Sequence, residues 1–170
     1  MDFLSMAKAR YSVRKYKDTP VEAEKLQKIL EAGRVAPTAK NGQPQRVYVL
    51  QSPEALEKAK EAARFYDAPV LLMVCADKDE AWVRQYDGMN SFQIDASIVT
   101  DHMMMQATEL GLGSLWICWF QESVLREKFN LPDNIVPVNL LALGYADCEP
   151  ASPERHSEKR KALDETVCYL

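Results

Sequence analysis

The chain has 170 residues, enough for one sizeable hydrophobic core, and is 47% hydrophobic and 27% charged with only six glycines, the profile of a soluble globular protein. A formal net charge of −4 excludes the broad basic face that binding to nucleic acid or anionic membrane needs, yet leaves room for one local basic pocket. No metal-ligand cluster can be drawn from two distant histidines, His102 and His156, and four cysteines without a C-x-x-C pair read as free thiols.

The opening "MDFLSMAKAR" has no apolar core of signal-peptide length, and the longest apolar run, Ala68 to Ala76, is too short to cross a bilayer. A cytoplasmic location is the expectation. Residues 1–9 read as a short helix, and the basic stretch "RYSVRKY" (10–16) leaves it as irregular chain. Thr19-Pro20 then opens a second helix with Leu26, Ile29, Leu30 and Gly33 on its inner face, ended by Pro37. A strand is expected over 46–52, and Ser52 with Pro53 caps a third helix reaching about Phe65. "APVLLMVCAD" (68–77) is a strand buried on both faces, and Asp87-Gly88 marks a turn in the polar connection that follows.

Residues 92–110 form the longest helical stretch. They are apolar nearly all round, as in a central buried helix, with Gly111 as its C-cap. A strand over 114–120, a helix over 122–129 and a strand over 136–144 complete the set, and a polar tail runs from 146 to 170. Helices and strands mix without strict alternation, which favours an α+β layered fold.

Two stretches carry groups suited to chemistry. In "RYSVRKY", guanidinium groups can fork onto phosphate oxygens while a serine hydroxyl and backbone N–H groups complete an anion cradle. The residue types alone fit a solvated basic turn as well. In "APTAKNGQPQRVYVL", Thr38, Asn41 and Gln43 offer groups that pair with a planar heterocycle, although a connecting turn needs the same residues. The glycines of "GLGSLWI" follow a helix and precede a strand, the reverse of a dinucleotide fingerprint, so tight packing explains them. No catalytic triad or specific carboxylate pair is present.

In their order and spacing these stretches resemble the nitroreductase family of flavoenzymes, specifically its short single-domain members. The resemblance rests on R-x-S-x-R at Arg10, Ser12 and Arg14, on A-P-[ST]-x-x-N-x-Q-P from Ala36 to Pro44, on "IVTDHMMMQATELGLGSLWI", and on the basic cluster in "EKRKALDETV". It implies one FMN-binding domain over 1–170, with a central mixed sheet flanked by helices in an intertwined homodimer, the tail wrapping the partner. The implied cofactor set is Arg10, Tyr11, Ser12, Val13 and Arg14 at the phosphate, ribityl chain and pyrimidine edge. Lys159 and Arg160 add charge at the phosphate, and Asn41 bonds the ring. Pro37, Thr38 and Ala39 pack on it from the other subunit, and backbone N–H groups near Cys118 and Trp119 face flavin N5 and O4.

The implied activity is ping-pong hydride transfer from NAD(P)H through flavin N5 to nitroaromatic, quinone or similar acceptors, with no catalytic side chain from the protein. Gln45, Cys118 and Trp119 depart from residues frequent in such relatives. Trp82, Arg84 and Tyr86 lie where many relatives cover the flavin. The alternatives are a non-catalytic flavin-binding or redox-sensing module, another reductive flavin reaction such as dehalogenation, and an apo structural dimer.

Overall fold

A computed structural model describes residues 2–152 and 154–170. Its elements run α1 (Phe3–Ala9), α2 (Ala23–Arg34), β1 (Gln45–Leu50), α3 (Pro53–Lys60), β2 (Val70–Asp77), α4 (Phe92–Glu109), β3 (Gly113–Ile117), α5 (Glu122–Lys128), β4 (Ile135–Gly144) and α6 (Arg155–Lys159). The four strands lie in the order β1-β2-β4-β3. Every ladder is antiparallel, so the expected mixed sheet reduces, among the described residues, to one parallel contact, the bridge between Ser12 and Ser114.

All eight residues of β2 are buried. Leu71, Met73 and Cys75 face a core shared with α3 and α5, whereas Val70, Leu72, Val74 and Ala76 face one shared with α2 and α4. The strand period of two sends alternate side chains to opposite faces, so a continuous apolar run is what a sheet covered on both sides requires. The α+β reading holds as three layers: α3 and α5, the sheet, then α2 and α4. Burial pushes the Cys75 thiol up to about 12, and all four cysteines are free.

Several boundaries moved for tertiary reasons. α2 starts at Ala23 rather than at Thr19-Pro20, because Glu22 stays extended and its carboxylate accepts the Tyr145 hydroxyl at 2.8 Å from the far side of the sequence. α3 stops at Lys60, because Phe65 turns into the core and Ala63 bridges Phe120. That same bridge draws Phe120 away from β3, which ends at Ile117.

α4 is the 18-residue spine, about 27 Å long. Its end forms a Schellman motif: Gly111 adopts φ +77, its N–H donates to Thr108 O and the Leu112 N–H to Ala107 O. Gly111 therefore lies one position beyond the cap, which is Leu110. The helix is not buried all round. Gln93, Ile94 and Asp101 are exposed and Ile98 and His102 half-buried, leaving a stripe without cover within the chain.

α2 crosses α4 at Gly33, where a Cβ would stand 2.8 Å from Met103 Cγ and 3.3 Å from Val99 Cγ1. A Gly33→Val substitution overfills this contact. It is expected to cost about 1–3 kcal/mol, read as a lower denaturation midpoint at unchanged slope.

Candidate functional site

The basic segment is hung from two anchors. Val13 is wholly buried and seated where Gly113 lacks a side chain, since a Cβ there would lie 2.7 Å from Val13 Cγ2. The Val13 N–H donates to Ser114 O at 3.0 Å, and the buried Tyr16 hydroxyl donates to Val13 O at 3.1 Å. Burial raises that phenol's pKa, so it remains a donor. Between and beside these anchors Ser12 and Arg14 face outward, while Arg10 and Tyr11 are half-buried.

The tail returns to the same place. Arg155 of α6 donates to Lys8 O at 2.7 Å and Arg10 O at 2.6 Å, and it also bonds Ala151 O and Ser152 O. His156 Nε2 lies 3.0 Å from Lys8 O. These carbonyls close α1, where helical partners run out and a cation is favourable. Docking α6 there brings Arg160 into the field of Arg10. Burial, then Arg155 and Arg160, hold the Arg10 guanidinium below its usual pKa, against a smaller opposing effect of Asp101. It remains charged nonetheless.

Among the described residues none of Arg10, Arg14, Arg155 and Arg160 forms an ion pair, although most of the chain's other close cation–acid neighbours do. Beside Arg10, Tyr11 and Val13 a recess of about 190 Å³ is lined by Ser114, whose buried hydroxyl has no hydrogen-bond partner. Unneutralised cations next to an unsatisfied hydroxyl have the chemistry of an anion site. Lys159 is exposed at the last turn of α6.

A second concavity of about 550 Å³ brings Arg14 together with Cys118 and Trp119, which follow β3. Both are exposed, Trp119 at 92%, so the indole stands out from the cleft instead of filling it. A larger open groove of about 1030 Å³ lies elsewhere, among α1, α2 and α4, with the apolar Phe3, Met6, Val35 and Met105 on its walls.

Pro37, Thr38, Ala39 and Asn41 are not with this group. Their loop sits at the start of α4, where the Ala39 N–H donates to Asp95 Oδ1 at 2.8 Å. Asp95 is buried and also accepts the Ser91 hydroxyl at 2.7 Å. The Gln43 N–H donates to Thr38 Oγ1, and Lys40, Asn41 and Gln43 all have φ near +50, an uncommon conformation that the Asp95 tether helps to hold. Arg10 and Tyr11 share the lining of the small recess with Thr108, at the other end of α4. Thirteen residues of helix separate Asp95 from Thr108, about 20 Å. The two groups of residues therefore lie toward opposite ends of one helix.

Sequence reasoning missed Arg155, Asp95 and Ser114. A carboxylate in the first turn of an apolar helix was the available signal for Asp95; Ser114 lies within "GLGSLWI", whose glycines pointed to packing alone, and Arg155 sits in no motif. In the connection 82–90, Val83 bridges Asn90 and Arg84 is paired with Asp87, while Tyr86 is fully out in solvent. Among the described residues no helix is long and apolar enough to cross a membrane, and no cluster of metal-binding side chains is found.

This fold has known counterparts. The chain matches the nitroreductase family model over residues 7–64 and 57–145. A nitroreductase family protein from Clostridium difficile superposes with a TM-score of 0.98 at 53% identity, covering 99% of this chain and 98% of that one. An FMN-dependent nitroreductase from another Clostridium difficile strain gives a TM-score of 0.79 at 28% identity, with 98% of each chain covered. An FMN reductase [NAD(P)H] of Bacillus subtilis is 32% identical over 94% of this chain and 71% of its own length. The α+β protein described here belongs to the nitroreductase family.

If Arg155 pins the tail, Arg155→Met should release it. Limited trypsin digestion, followed by mass spectrometry, is expected to cut after Lys159, Arg160 or Lys161 several-fold faster than in the parent, with the rest of the chain intact.

Proposed function

We propose that this protein is an FMN-dependent NAD(P)H oxidoreductase that works as a homodimer. The observation that carries the reading is the Arg10–Arg155–Arg160 cluster, without an ion-pair partner among the described residues, beside the start of the strand β3 whose far end opens on the cleft. A flavin phosphate is close to dianionic at neutral pH and fits a cation cluster that has no ion-pair partner among the described residues, with Ser12 and the orphaned Ser114 hydroxyl nearby. A ring reaching from there toward the 550 Å³ cleft meets Arg14, whose side chain has only a 3.4 Å contact to Ser12 O, and the backbone at Cys118 and Trp119.

Pro37, Thr38, Ala39 and Asn41 complete the site only across a two-fold interface, since within one chain their anchor Asp95 lies about 20 Å along α4 from Thr108, which lines the recess beside Arg10. The uncovered stripe of α4 and the exposed Phe3, Leu4 and Val35 supply apolar surface for such an interface. The tail beyond Arg160, with exposed Leu163, Val167 and Tyr169, would extend onto the partner.

FMN, when bound, supplies the hydride chemistry, in two half-reactions with NAD(P)H as donor and a nitroaromatic, quinone or similar acceptor. The chain's own work is electrostatic and steric. Arg10 and Arg160, with Lys159 in reach from α6, hold the phosphate. Arg14 would provide fixed positive charge beside the ring, and the N–H groups after β3 would donate to it and stabilise the negative charge that reduction adds. No side chain need carry a proton or form a bond. The outward Trp119 leaves the cleft open, which favours turnover over a closed sensor. A cytoplasmic setting, where thiols stay reduced, suits the free cysteines.

The test compares FMN with riboflavin, which lacks the phosphate. FMN is expected to bind at least about a hundredfold more tightly, and Arg10→Gln to weaken FMN by about ten- to a hundredfold while leaving riboflavin nearly unaffected. Anaerobic NADH or NADPH should then bleach the bound flavin. Equal affinity for the two flavins, or bound FMN that neither nucleotide reduces, would overturn the proposal.

A further inference from the structure

The cleft beside Cys118 and Trp119 has a wall that cofactor binding does not use. Arg64, Tyr66 and Trp119 line it, with Lys60 and Glu61 at its margin. The Arg64 guanidinium lies 4.7 Å from the centre of the Tyr66 ring, a cation–π contact. The other charges on this wall are spoken for: Lys60 pairs with Glu57 at 2.7 Å and Asp67 at 3.1 Å, and Glu61 with Lys128 at 2.7 Å. Arg64 forms no ion pair among the described residues. A guanidinium stacked on a ring keeps its in-plane N–H groups free to fork onto a carboxylate.

The backbone shows that this presentation is held at a cost. Tyr66 and Asp67 adopt φ +58 and +54 in succession, conformations rare for a bulky aromatic and its neighbour. Buried Phe65, with the Ala63–Phe120 bridge behind it, fixes one end of the turn and buried Ala68 the other, and the Ala68 N–H donates to Phe65 O at 3.3 Å. Held this way, Tyr66 lies under the arginine at the mouth of the cleft, and Trp119 offers a second exposed aromatic surface.

We propose that Arg64, Tyr66 and Trp119 form a subsite that selects planar aromatic acceptors carrying a carboxylate. The inference rests on the flavin-reductase reading for its reaction but not for its binding chemistry. The acceptor's ring lies against the aromatic side chains and its carboxylate meets Arg64, which makes Arg64 a specificity residue of the acceptor half-reaction.

Two measurements on the FMN-loaded protein test it. The first is reoxidation of the NAD(P)H-reduced enzyme by 4-nitrobenzoate and by the neutral, equally shaped 4-nitrobenzamide. The second is equilibrium binding of benzoate and benzamide to the oxidised protein, followed by tryptophan fluorescence. The anion is expected to be favoured about tenfold in both, the ratio shrinking with added salt. Arg64→Gln should bring the ratio within about twofold of unity, and Arg64→Lys should keep part of it. Equal treatment of anion and amide by the parent protein overturns the proposal. So does an Arg64→Gln variant that weakens both compounds alike, or one that slows only reduction by NADPH, which would assign Arg64 to the donor's phosphates. A protein that binds no flavin sinks the reductase reading instead, and the benzoate titration still reports on the subsite.

Discussion

The contact of Val13 with Gly113 fixes much of what lies around it. The valine occupies space that any side chain at position 113 would claim, and its N–H is spent on Ser114 O. That places an irregular, highly charged segment in register with the start of β3, the edge strand that runs on to Cys118 and Trp119. The Schellman turn at Gly111 serves the same end, because it reverses the chain tightly enough for β3 to begin two residues later. Backbone geometry at two glycines therefore decides where the arginines are delivered.

What is delivered is electrostatically unbalanced. Helix α1 ends in carbonyls that need donors, and Arg155 satisfies them. The same docking crowds Arg10 with like charge. Attraction to the helix end and repulsion between guanidinium groups oppose each other in the isolated chain. An anion removes the repulsion and keeps the attraction. This accounts for a concentrated positive site in a protein of net charge −4, where about half of the remaining cations sit in local acid pairs on the surface.

The layers of the fold were legible because they depend on periodicity. β2 read as a strand covered on both faces from its unbroken apolar run, and Gly33 read as a core position from helical spacing. Element ends were less legible, since each was set by a partner far along the chain: Tyr145 for the start of α2, Phe120 for the end of α3. For the site, "RYSVRKY" and the loop 36–44 stood out by residue type, but their separation by about 20 Å did not, because it arises from the length of α4. Arg155 was invisible, and Asp95 showed only as a carboxylate in an apolar helix, for a related reason. Each matters through a bond to a backbone group, and backbone groups leave no mark on sequence.

The length of α4 has a mechanical side. The strained loop 38–43 is tied to its first turn through Asp95, and the Arg10–Val13 segment rests against its last. In a two-fold assembly each flavin site would then take one piece from the head of one helix and another from the foot of its mate. Two stiff rods would run between two sites, each touching both. A tilt of only about 5° in a 27 Å rod moves its far end by about 2 Å, nearly a bond's reach beyond a good hydrogen bond. A helix fastened at both ends in this way leaves little slack between the Asp95 loop and the segment that carries the arginines.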